Sequence, residues 1–159
     1  MKPAVLALFL TASVLSLAAC NREPDRASSK TVVEKDGVKA VVEIKNAWCR
    51  PTPNGAQAGA CYLDIKSSVD NRITGVATPL AAESAIHDMV MADNIMTMSE
   101  MDEGLPLEAG KSVQLAPGGK HLMLMGLTAP LAAGTAIPLT LTFSATPAMT
   151  VQATVRQPE

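Results

Sequence analysis

Flat side chains are almost missing from this chain, which has one Trp, one Tyr and two Phe among 159 residues. With one Phe lying in the leader, at position 9, too few rings remain to build stacking platforms for bases or sugars. Blocks of positive charge are missing too. Thirteen Lys and Arg are spread among fifteen Asp and Glu, for a formal net charge of −2. That balance excludes nucleic acid and anionic lipid surfaces as partners recognised by charge. There are two histidines and three cysteines, too few at ligand spacing for a zinc centre. No oxygen-rich loop of the calcium-binding kind occurs. After residue 19 there is no long apolar run, no stretch of helical period and length, and no internal repeat.

What is present begins with a leader. Lys2 precedes the apolar run AVLALFLTASVLSLAA, which is short for a bilayer span and ends in small residues, as secretory signal peptides do. Leu17, Ala18, Ala19 and Cys20 resemble the lipobox of bacterial lipoproteins, in which a lipid is attached to the Cys before cleavage on its amino side. The expected organisation is a signal peptide over 1–19, lipidated Cys20 and a flexible tether over 20–30, and one folded domain over 31–159. Several acyl chains on Cys20 hold a protein stably at a membrane, where one chain alone is marginal. The polar tether, with Pro24 and no apolar period, reaches about 18 Å on flexible-linker scaling. Asn21 after the lipidated Cys leans toward the outer membrane by resemblance to sorting rules in enteric bacteria.

The folded part reads as short strands separated by turn signals, so the expected class is all-β, a sandwich or Greek-key barrel. Residues 31–34 and 39–44 flank Asp36-Gly37, a hairpin dipeptide. Further candidate strands cover 47–51, 58–66, 73–77, 84–91, 95–101, 112–115, 121–124, 137–143 and 150–155. Pro117-Gly118-Gly119 marks a turn directly before His121.

Methionine is where the composition stands out. Five of the nine, Met89, Met91, Met96, Met98 and Met101, crowd into one stretch, and Met123 and Met125 follow. The two histidines open two Met-bearing strings, HDMVM from His87 and HLMLM from His121. Alternate residues of a strand share a face, so each string can present His, Met and Met in a row. Packing is the ordinary use of Met. Two rows headed by the only histidines point instead to metal, because soft thioether sulfur pairs with Cu(I) and imidazole suits it as well.

The strings WCRPTPNGAQAGACYLDI, ESAIHDMVMADNIMTMSEM, GLPLEAGKSVQLAPGGKHLMLMGL and IPLTLTF resemble the PCuAC family of periplasmic copper chaperones over most of the folded part. The family motif is a His, a Met eleven places on, and a His-x-Met some twenty residues later. His87, Met98 and His121-Leu122-Met123 match it, with a gap before His121 one residue longer than the family form. The resemblance implies a cupredoxin-like fold, one Cu(I) per domain held by His87, Met98, His121 and Met123, and no catalytic activity. It implies as acceptors the copper centres of cytochrome c oxidase, with Sco-type proteins as collaborators. Met89 and Met96 are left open as accessory ligands, and Met91 and Met125 are expected to pack. The His- and Met-rich tail that gives some relatives a second site is absent; the chain ends TVRQPE.

Cys49 and Cys61 lie outside that ligand set. They are equidistant from Gly55, as opposed residues of a hairpin would be, and the expected compartment is oxidising, so a disulfide is expected. Two buried thiols and an accessory thiolate copper site are the rivals; Cys-x-x-Cys redox chemistry does not fit the spacing. Asp64, Asp70, Glu83, Asp88, Glu100, Asp102, Glu103 and Glu108 are scattered, and with both histidines in the metal set no Ser-His-Asp arrangement can be assembled. The function expected is delivery of Cu(I) to oxidase assembly. Copper buffering is the alternative, and a structural β-sandwich lipoprotein with all its methionines in the core is a further one.

Overall fold

A computed structural model describes residues 28–35 and 38–158. The leader, Cys20, most of the tether and the dipeptide Asp36-Gly37 lie outside the described residues. Eleven strands follow one another: β1 (Ser29–Lys35), β2 (Val38–Cys49), β3 (Ala58–Ser67), β4 (Asn71–Ala77), β5 (Ala81–Ala92) and β6 (Ile95–Glu100), then β7 (Leu105–Leu107), β8 (Ser112–Leu115), β9 (His121–Leu127), β10 (Ala136–Phe143) and β11 (Met149–Val155). The class is all-β, as the strand periodicity implies. Among the described residues no helix is long and apolar enough to cross a membrane.

The strands join in the order β6-β5-β9-β3-β2-β11-β10-β4-β7, with β1 on β2 and β8 on β3. Every pair is antiparallel except β11 with β2, which run parallel at Trp48 and Cys49. The sheet is open, and two of its long strands change partners along their length. β3 gives its first half to β9 and its second half to β8, and β2 turns from β1 to β11 along one edge. Strands that change partners in this way carry the chain around a corner and let one continuous sheet wrap its own core.

Alternation decides which side chains fill that core. In β11 every second residue is buried, which puts Met149, Val151, Ala153 and Val155 inside. In β9, Leu122 and Leu124 are fully buried while Met123 and Met125, on the other face, are half-buried. Ile44, Leu63, Ile65, Ile73, Leu139 and Leu141 complete the interior from four other strands. Each Leu or Ile so placed contributes about 1.5–3 kcal/mol relative to an exposed position.

Three details depart from the expected elements. The expected segments 39–44 and 47–51 merge into one strand, β2, which ends at Cys49 and is interrupted by a bulge between Lys45 and Trp48. Asn46 there takes φ +53, a conformation that Asn tolerates, and its amide donates to Asp64 Oδ2 at 2.6 Å. β7 was not expected: it is three residues long with Pro106 at its centre, which sequence patterning reads as a break, yet it lies at the sheet edge where Pro is accommodated. β1 starts at Ser29, two residues before the expected start of the folded domain.

Candidate metal centre

Register, more than proximity in sequence, assembles the site. β5 pairs with β9 so that His87 lies opposite His121 and Ala85 opposite Met123. On its other edge β5 pairs with β6, setting Met89 opposite Met98, Met91 opposite Met96, and His87 opposite Glu100. Directly opposed residues share a face, and so do alternate residues of one strand. Both histidines and Met89, Met91, Met96, Met98, Met123 and Met125 therefore lie on the side of the sheet opposite Ile86, Leu122 and Leu124.

The turn that folds β6 back on β5 is two residues long. Asp93 and Asn94 take φ +49 and +63, the pair of left-handed conformations that a tight hairpin turn requires and that Asp and Asn adopt most readily. From Val90 to Glu100 every residue is exposed, so this hairpin stands out from the body of the domain.

The two rings are 5.8 Å apart between centroids and nearly perpendicular, at 77°. Imidazoles that share one ion, each bonded at about 2 Å, have centroids roughly 5–6 Å apart, so little adjustment separates this arrangement from a ligating one. His121 is buried, and its Nδ1 lies 2.9 Å from the carbonyl oxygen of Gly119. With Nδ1–H donating to that carbonyl, Nε2 keeps its lone pair for a ligand, the usual way in which metal-binding histidines are oriented. His87 Nδ1 is buried with no hydrogen-bond partner. An unpartnered buried nitrogen costs about 1–3 kcal/mol, and a bound cation would supply the partner.

Met89, Met98, His121 and Met123 line a common open cavity of about 440 Å³, with Tyr62 in its wall and Arg50 and Pro51 at one side. His87 meets this group through its ring contact with His121. The structure thus brings His87, Met98, His121 and Met123 together, and Met89 with them. Met96 and Met91 sit further out on the hairpin. Met91 does not pack as expected: it is 63 % exposed, because the end of the hairpin extends past the strands that would cover it. Met125, half-buried, lies opposite Ala58 and Glu83.

Among the described residues no three of His, Cys, Asp or Glu come together as a cage for a metal ion. A cation held at this place would take thioether sulfur as well as imidazole, and that donor set suits a soft monovalent ion. An ion pair, Lys120 Nζ to Asp88 Oδ2 at 2.8 Å, ties β5 to the residue before His121 from a position that alternates with His87 along the strand.

Tyr62 and Trp48, to which the sequence pattern gave no part in the site, extend the histidine row across the sheet. Tyr62 stands 6.4 Å from His121, Trp48 stands 4.5 Å from Tyr62, and the Arg156 guanidinium lies 4.8 Å above Trp48. The signal available was the Trp-Cys and Cys-Tyr order around the expected disulfide, which sets both rings opposite each other if the cysteines pair. Cys49 and Cys61 are indeed joined by a disulfide, directly opposed in the β2–β3 ladder and buried in the core, away from the His and Met face.

Residues 42–155 match the family described as "Putative lipoprotein LpqE-like", and the chain belongs to that family. A relative, "Putative lipoprotein Lxx21020" from Leifsonia xyli subsp. xyli, is 33% identical over 143 residues, covering 89% of this chain and 78% of its own. Among solved structures, the copper-bound PCuAC domain from PmoF2 matches with a TM-score of 0.63 at 22% identity, over 82% of this chain and 99% of that domain. The solution structure of CuI-DR1885 from Deinococcus radiodurans matches with a TM-score of 0.54 at 29% identity, over 69% of this chain and 74% of that one. The fold is that of the PCuAC domains.

Proposed function

We propose that this protein is an extracytoplasmic Cu(I) carrier, anchored to a bacterial membrane through Cys20, that binds one copper tightly at His87, Met98, His121 and Met123 and delivers it to the assembly of a respiratory oxidase. The observation that carries the reading is the paired histidines. One, His121, has its Nδ1 committed to a backbone carbonyl and lines, with Met98 and Met123, a cavity that holds neither carboxylate nor thiolate; the other, His87, has a buried Nδ1 without a partner and stands 5.8 Å from His121 between ring centroids. The copper(I)-loaded DR1885 structure, similar in fold and 29% identical, supports the choice of metal.

Neutral imidazole and thioether ligands hold Cu(I) without a thiol that an oxidising compartment would convert to a disulfide. Met98 is 46 % exposed, so an incoming ligand from an acceptor can displace the sulfurs one at a time. Copper centres of cytochrome c oxidase, with Sco-type proteins as collaborators, are the acceptors proposed on the resemblance described above.

The first test is anaerobic titration of Cu(I) into the full chain in detergent against a chromophoric Cu(I) chelator, alongside the Met98→Ala, Met123→Ala double variant. One tight equivalent, weakened at least a hundredfold in the variant, is expected. Failure of the parent protein to compete with the chelator would end the copper reading. Delivery is then checked in cells: deletion should lower oxidase activity at limiting copper, whereas a change confined to copper sensitivity would mean storage.

A further inference from the structure

The hairpin of β5 and β6 carries two methionines that neither the core nor the proposed copper site uses. Met91 and Met96 are directly opposed in the ladder, one rung beyond Met89 and Met98, and they are 63 % and 47 % exposed. An exposed Met in a folded domain fills no gap. The pair is also segregated: every sulfur of the hairpin lies on the histidine face, while Val90, Ala92, Ile95 and Thr97 occupy the other. A surface built only for apolar contact with a partner has no need to sort sulfur from hydrocarbon.

We infer that Met91 and Met96 form an outer Cu(I) subsite, at which copper is first captured before moving inward to the histidines. This rests on the copper reading above. Directly opposed side chains of an antiparallel pair have Cβ atoms about 4.5–5.5 Å apart, within reach of two thioethers bridging one ion. Successive rungs are about 7 Å apart at the strand rise. Met98 or Met89, one rung inward, can therefore bind the ion as it leaves Met91 or Met96, and His121 and Met123 line the same cavity as those two. Ligands are exchanged one for one and copper stays Cu(I), so no electron or proton is needed. Having only sulfur donors, the outer subsite is the weaker, which directs the ion toward imidazole.

The test uses the full chain in detergent, with its methionine methyl groups isotopically labelled for NMR, and acetonitrile-stabilised Cu(I) under anaerobic conditions. In the parent, the first equivalent should shift the Met98 and Met123 methyl signals, and a second, weaker equivalent should shift those of Met91 and Met96. The Met91→Leu, Met96→Leu variant replaces exposed side chains by others of similar volume, so the fold should stand. It should keep the tight equivalent, lose the second, and take up copper from a weak donor complex at least tenfold more slowly. A second equivalent that survives in the variant, or a parent that binds one equivalent and no more at unchanged loading rate, overturns the outer subsite while leaving the inner one intact. Absence of any Cu(I) binding by the parent removes both.

Discussion

Replacing Cys49 and Cys61 together by Ala separates structure from metal chemistry, because the structure assigns the two cysteines wholly to the former. The disulfide closes a loop of sequence separation 12, for which the chain-entropy relation gives about 3 kcal/mol at 25 °C. Both residues are fully buried, so loss of the sulfurs adds a small packing cost. Comparing the variant with the reduced parent isolates that part. In a domain of this size 3 kcal/mol corresponds to a fall of about 10 °C in Tm. The assay is urea unfolding of the full chain in detergent followed by Trp48 fluorescence, a clean probe because Trp48 is the only Trp and adjoins Cys49. Copper uptake at the proposed site should be unchanged, because the cysteines lie in the core and the His and Met row lies on the opposite face of the sheet. A stability loss under about 1 kcal/mol would refute the entropic estimate. Loss of the tight copper equivalent in a variant that still folds would show that the thiols serve the metal after all.

Two further outcomes are expected. Gly104 has φ +77, and a Cβ there would lie 2.1 Å from the Ile73 carbonyl oxygen, whereas at Gly110, φ +74, a Cβ meets nothing within 4 Å. Gly104→Ala should therefore cost several kcal/mol and Gly110→Ala only about 1–2 kcal/mol for the left-handed backbone, compared by chemical denaturation. Leu124→Ala, at a fully buried position directly behind the Met face, should destabilise by about 2–5 kcal/mol in the same measurement while leaving copper stoichiometry at one tight equivalent.

Much of the site could be read from local pattern. His-x-Met-x-Met repeats at strand spacing put each histidine on the face of its methionines, whatever the fold, because side chains alternate along any strand. Turn residues before His121 and the scarcity of other donors pointed to the same two strings. Met91 shows where such reading stops: period alone says which face a side chain takes, and only the neighbouring strands say whether that face is covered.

The amino-acid order by itself determined the all-β class, the His and Met rows, and the symmetry of Cys49 and Cys61 about Gly55. Those are properties of residues near one another in the chain, set by alternation and turn chemistry. Tertiary structure decided that β5 lies between β6 and β9, and with it the meeting of His87 and His121, the Gly119 carbonyl on His121, the row through Tyr62 to Trp48, and the projecting sulfur hairpin. Pairing between distant strands depends on which core they jointly bury and on the register that burial imposes, and no local pattern encodes that choice.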